Sequence, residues 1–150
     1  MHLDLFFKKK TIEYIVNAGR ISMLSKREGL MLYWCEGDKT LEACMVSITC
    51  AEPLMLCSFI DWLVNYYHAD RSRIKPRLHL WEGANEGEAV QFWSDTLKIP
   101  KESFQRTWFK TRSGSKKKYP FGICRAAYYS KPILLQILDD IEKEFKDKTA

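Results

Sequence analysis

The sequence predicts an α+β domain, with a four-stranded, mostly antiparallel sheet and helices gathered on one side of it. Three observations lead there. An uncharged run, Gly29 to Cys35, ends in Glu36 and Gly37 and reads as a helix with its stop signal. Segments such as Arg73–Trp81 alternate charged and apolar residues with period two, the mark of a strand covered on one face. Helix-start residues, Pro53, Asn85 and Ser130, recur between those segments. The predicted order is helix, strand, helix, strand, helix, strand, strand, helix.

Residues 11 to 18 read as a short helix ended by Gly19, inside an N-terminal extension (1–24) that precedes a single domain (25–150). The apolar helix is placed at Ser25–Glu36. Through its seven uncharged residues no polar face can be drawn, so it is expected to be buried all round. Residues 42 to 49 read as the first strand. Pro53 opens a helix with Leu56, Phe59, Ile60, Leu63 and Val64 on one stripe. Residues 73 to 81 form the second strand, where Pro76 favours an edge position. Asn85 caps a helix carrying Glu86 and Glu88 in its first turn, as the helix dipole favours, and Ile99–Pro100 ends it. Residues 105 to 112 and 121 to 129 form the last two strands, around a loop with Ser113, Gly114, Ser115 and three lysines. Ser130 caps the final helix. Its acids Asp139, Asp140, Glu142 and Glu144 sit among Ile133, Leu134, Ile137, Leu138 and Ile141, which makes them a solvated face.

Bulk properties narrow the function. With 150 residues, 46% hydrophobic and 13% aromatic, the chain has enough apolar mass for one core and little room for disorder. Trp62, Trp81, Trp93, Tyr66 and Tyr67 are expected in that core. The net charge of +5 and a pI of 8.9 give a basic bias of the kind nucleic-acid binders show. It is concentrated between Arg71 and Lys131. Five cysteines without a CxxC pair read as reduced, mostly core residues. No His–Cys spacing suits zinc. The apolar Leu5-Phe6-Phe7 precedes Lys8-Lys9-Lys10, the reverse of a secretory signal, and no run reaches transmembrane length. A cytoplasmic (intracellular) protein without a membrane partner is expected.

Two constellations carry chemistry. The strands write a basic face: Arg73, Lys75, Arg77 and His79 on the second, Arg106, Trp108, Lys110 and Arg112 on the third, Arg125 on the fourth. Lys116, Lys117 and Lys118 extend it with a loop that could track phosphates. Antiparallel sheets often leave a polar face to water. Three strands of one charge sign, with almost no acid between, favour nucleic acid instead. The second constellation is Glu36. A carboxylate at the negative end of a helix, beside the uncrowded carbonyl of Gly37, offers hard oxygen ligands to Mg²⁺. One carboxylate builds little of a site. Two copies across a twofold axis build more, and the all-round apolar helix needs a partner surface anyway.

Gly29–Gly37 resembles the signature helix of LAGLIDADG homing endonucleases. The stretch Cys44 to Val64 is similar to that family's strand-into-helix unit, and Tyr128-Tyr129-Ser130-Lys131-Pro132-Ile133 to the approach to its final helix. The likeness covers about residues 27 to 145. It implies a saddle-shaped sheet on DNA, paired metal-binding acids at Glu36, the terminal glycine at Gly37, and Lys131 as the basic catalytic residue near the scissile phosphate. Gly29 stands in place of the family's first leucine, Met31 in place of a small residue, Trp34 where many members are smaller, and Glu36 in place of Asp. A strand due soon after Gly37 is missing or fused, and a helix at about 86–97 is extra. With one motif, the implied enzyme is a homodimer that hydrolyses a nearly palindromic double-stranded DNA site with Mg²⁺ or Mn²⁺. A non-catalytic DNA-binding transcriptional regulator on the same scaffold, and an RNA-binding splicing cofactor, remain the alternatives.

Overall fold

A computed structural model of the chain describes residues 23–111 and 119–146. The helix expected at 11–18 lies outside them. In chain order the elements are α1 (Lys26–Glu36), β1 (Met45–Cys50), α2 (Pro53–Tyr67), β2 (Lys75–Trp81), α3 (Glu86–Leu97), β3 (Trp108–Lys110), β4 (Ile123–Tyr129) and α4 (Lys131–Phe145). Single 3₁₀ turns lie at Leu41–Ala43, Arg71–Arg73 and Lys101–Ser103.

The helix starts follow local chemistry. The Ser25 hydroxyl accepts from the Glu28 N–H and the Glu28 carboxylate accepts from the Ser25 N–H, a reciprocal capping box. Glu52, Asn85 and Ser130 cap α2, α3 and α4 through their side chains. Pro53 and Pro132 occupy first-turn positions, where the missing N–H costs nothing.

The sheet order is β1-β4-β2-β3. β4 runs antiparallel to both β1 and β2, whereas β2 and β3 are parallel. The sheet is therefore mixed rather than mostly antiparallel. The cause is connectivity: α2 carries the chain from β1 to β2 and α3 carries it from β2 to β3, and helical crossovers return strands in the same direction. β4 then slots between β1 and β2. Beyond β1, a single antiparallel bridge joins Gly37 to Ile48, and the Asp38 N–H donates to the Ser47 carbonyl at 3.0 Å. That bridge stands where a further strand was expected.

One face of the sheet, Val46 and Ile48, Leu78 and Leu80, Cys124, Ala126 and Tyr128, joins a single core with Phe59, Ile60 and Trp62 of α2, Trp93 and Leu97 of α3, and Leu134, Ile137 and Ile141 of α4; Pro76 is buried on the same face. Pro76 is tolerated inside the sheet. Its carbonyl, and hence its absent N–H, point to the β3 side, where strand pairing starts only at His79.

The apolar helix is not buried all round. Gly29, Leu30 and Tyr33 are buried, but Met31 and Trp34 are 42% and 39% exposed and Cys35 is exposed. One copy of the chain covers only the side of α1 that meets α2, β1 and α4. Gly29 has a specific cause: a Cβ there would lie 2.0 Å from the Trp62 indole nitrogen, which donates to the Lys26 carbonyl. Gly37 is extended (φ −78°) and not a left-handed cap; a Cβ there would meet the Tyr33 ring at 2.5 Å. Only Cys124 of the cysteines is fully buried; Cys44, Cys50 and Cys57 are partly covered. Trp62, Trp93 and Tyr67 are core, while Trp81 and Tyr66 are half-buried.

Candidate nucleic-acid interface

The other sheet face is polar and mostly open, with Ser47 and Ala127 buried in its middle. Its rows can be read from the strand registers. Thr49, Arg125 and Arg77 form one row; Ser47, Ala127 and Lys75 the next; Ile123, His79 and Trp108 flank the first row on the other side. Lys110 lies opposite Trp81, and its ammonium is 5.2 Å from the Trp108 ring centroid. His79 meets Trp108 edge-on at 5.2 Å. The structure thus brings Lys75, Arg77, His79, Trp108, Lys110 and Arg125 together on one open surface.

Its centre is electrostatically strained. Arg77 and Arg125 are direct cross-strand partners, a placement in which like charges repel. The Nε of each is buried without a hydrogen-bond partner. An unsatisfied buried donor costs free energy. Gln105 orders Arg125: its Oε1 accepts from the Arg125 guanidinium at 2.7 Å, its Nε2 donates to the Tyr129 hydroxyl at 2.9 Å, and its backbone N–H donates to the Pro76 carbonyl at 2.7 Å. Burial first, then the charges of Lys110, Arg125 and Arg77, hold the His79 imidazole below its ordinary pKa. The ring is neutral at pH 7 amid cations.

Other sequence-predicted residues fall elsewhere. Arg73 belongs to the 3₁₀ turn before β2; its guanidinium lies 5.1 Å from the Tyr128 ring centroid and donates to the Tyr128 hydroxyl at 3.2 Å. Arg106 is exposed in the extended run that leads into β3, which is only 3 residues long. Arg112, Lys116, Lys117 and Lys118 lie outside the described residues.

Glu36 is exposed at the tip of α1, on the free edge of β1. Gly37 pairs with Ile48, so Glu36 stands beside the Thr49–Arg125–Arg77 row, about two strand spacings (~10 Å) from Arg125. Its charge reaches the Cys50 thiol, whose pKa is pushed up to about 11, chiefly by burial. Among the described residues Glu36 has no ion-pair partner, and no three His, Cys, Asp or Glu side chains converge as a metal cluster. The Gly37 carbonyl is engaged: the Lys39 ammonium donates to it at 3.0 Å and to the Trp34 carbonyl at 3.0 Å. Lys131 opens α4, just beyond the β4 residue that pairs with Met45. It therefore lies more than four residues along the sheet from Glu36, beyond about 13 Å at 3.3 Å per residue. The structure does not bring Lys131 and Glu36 together within one protomer.

Sequence reasoning missed Gln105 and Lys39. Gln105 leaves no signal, because it acts through Arg125. Lys39 does leave one: a basic residue just past a helix end can reach the orphan carbonyls and complement the dipole. Comparison with protein-family models, with curated proteins and with solved structures finds no match to this chain.

Proposed function

We propose that the open sheet face binds double-stranded DNA, and that a homodimer formed through α1 cleaves a nearly palindromic site as a LAGLIDADG-type endonuclease. The Arg77–Arg125 pair carries the binding reading. Two adjacent guanidiniums on an open face match phosphate oxygens or base acceptors, which would relieve their mutual repulsion. Trp108 and the neutral His79 add apolar and aromatic surface beside them. The two long strands, at 7 residues each, span about 23 Å, roughly seven base pairs.

The catalytic reading rests on the exposed apolar side of α1, Met31, Trp34 and Cys35, which leads directly to Glu36. A twofold axis along that side would cover it and bring two carboxylates close. Glu36 suits a hard divalent cation, being exposed and unpaired among the described residues; the Gly37 carbonyl does not suit one while Lys39 holds it. Mg²⁺ or Mn²⁺, when bound, supplies an activated water and a counter-charge for the leaving oxygen. The chain itself contributes an exposed carboxylate and a basic platform that registers the duplex.

The regulator reading is favoured by two specific observations, the Lys39 contact and the distance of Lys131 from Glu36. Nicking of supercoiled plasmid separates the two. Metal-dependent nicking that is lost in Glu36→Gln while binding persists supports the enzyme. Sequence-specific binding without nicking in Mg²⁺ or Mn²⁺ leaves the regulator. Binding that ignores salt removes both, since phosphate contacts weaken steeply with ionic strength.

A further inference from the structure

We infer that Trp108 is a stacking platform for an unpaired base, so that the open face prefers DNA in which a nucleotide beside the duplex is single-stranded. The inference rests on the DNA-binding reading of that face.

Trp108 is the most exposed tryptophan of the chain, at 54%, on a strand whose 3 residues are all exposed. It does not stand alone. His79, its direct partner across the ladder, meets it edge-on at 5.2 Å and supports the ring from the side. Trp81, half-buried, lies two residues further along the same face of β2. Trp34, the next most exposed, is different: its ring already stacks on Phe145 at 5.3 Å. Near the Trp108 ring face, among the described residues, lies the Lys110 ammonium, 5.2 Å from the centroid. Lys110 is exposed, so a base can take its place over the ring. The freed ammonium then meets that nucleotide's phosphate. Arg77 stands two residues from His79 on the same face, about 7 Å along β2, and offers a second phosphate partner. A ring for the base and cations for the backbone are what single-strand sites combine. Paired bases inside a duplex stack on one another and present no free face. β3 is the edge strand, outside the Arg77–Arg125 pair, where a strand leaving the duplex would run.

Fluorescence anisotropy with the full chain and three probes tests this: a blunt duplex, the same duplex with a short thymidine tail, and the same duplex with an abasic tail of equal length. The two tails carry the same phosphates, so they differ in bases alone. The wild type should bind the thymidine-tailed probe at least about fivefold tighter than the abasic one, the low end of what one stacked base contributes. Trp108→Ala should abolish that gain and leave the blunt duplex near wild-type affinity. Trp108→Phe, which keeps a ring, should retain most of the gain, yet it should lose the quenching of tryptophan emission that the thymidine tail causes in the wild type. Equal affinity of the wild type for the two tailed probes overturns the inference, as does a gain that survives Trp108→Ala. An equal loss on all three probes in Trp108→Ala also overturns it and makes Trp108 a duplex contact. Quenching that persists in Trp108→Phe overturns it even where the alanine variant does not fold. The two readings fail separately. A blunt duplex bound without any thymidine gain keeps DNA binding and removes the platform. A Trp108-dependent gain without binding of the blunt probe keeps the platform and removes the duplex.

Discussion

Single residues carry most of the tension in this structure. Gly29 is a glycine because Trp62 lies where its Cβ would be. On an isolated helix Gly29→Ala would stabilise by about 1 kcal/mol; here it must displace a fully buried tryptophan and should destabilise by about 1–3 kcal/mol. Urea unfolding reads the sign. Arg77 has the opposite character. It faces Arg125 across the ladder, so Arg77→Met should leave the free protein at least as stable, by up to about 1 kcal/mol, while DNA affinity drops. Loss of both stability and affinity would make Arg77 a structural residue. His79 sets a pH dependence. Its folded pKa lies below the ordinary 6.5, so the unfolded chain takes up a proton first. That contribution to stability is complete above pH 6.5 and shrinks as pH falls towards the folded value. A phosphate beside the ring reverses the cost of protonation. DNA affinity should therefore rise between about pH 7.5 and 6, and the rise should vanish in His79→Gln. None of these tensions was legible from composition. The alternation of Lys75, Arg77 and His79 showed that charge gathers on one face, but cross-strand register decided which charges meet.

The elements themselves were written more plainly. Ser25, Asn85 and Ser130 cap where their residue type says they should, because capping is settled within one turn. The alternating residues of β2 do separate into a core face and an open face. Two things were not local. The parallel pairing of β3 with β2 follows from the α3 crossover, not from any property of Trp108, Phe109 or Lys110. The burial of α1 is not local either, since hydropathy states that an apolar face wants cover and not which molecule provides it. The covered and open sides of α1 give a thiol-labelling order. Cys35 is exposed, whereas burial pushes the Cys50 and Cys57 thiols up to about 11 and holds Cys124 well above its ordinary range. N-ethylmaleimide at neutral pH, read by peptide mass spectrometry, should modify Cys35 well before Cys124. If α1 forms the proposed twofold interface, Cys35 should be slowed at high protein concentration and not at low. Fast labelling of Cys124 would contradict the packing, and concentration-independent labelling of Cys35 would contradict the interface.

At the scale of the whole molecule, the fold is a platform with an apolar layer of helices behind and a basic surface in front. Among the described residues no helix is long and apolar enough to cross a membrane. Glu36 hangs at one edge of the platform, beside the row that holds both unsatisfied arginines. Lys131 stands at the far end of the same sheet, which is why the catalytic pairing implied by family resemblance is not assembled in one copy. The claim on which the account turns is that the Arg77–Arg125 surface meets duplex DNA. Its most direct measurement is the equilibrium affinity for a duplex across a salt series, for the wild type and for Arg77→Gln/Arg125→Gln. The account predicts steep weakening between about 50 and 200 mM salt in the wild type, and in the double variant a weaker complex whose salt slope is smaller by about two counterions. Equal affinities and equal slopes for the two proteins would contradict it.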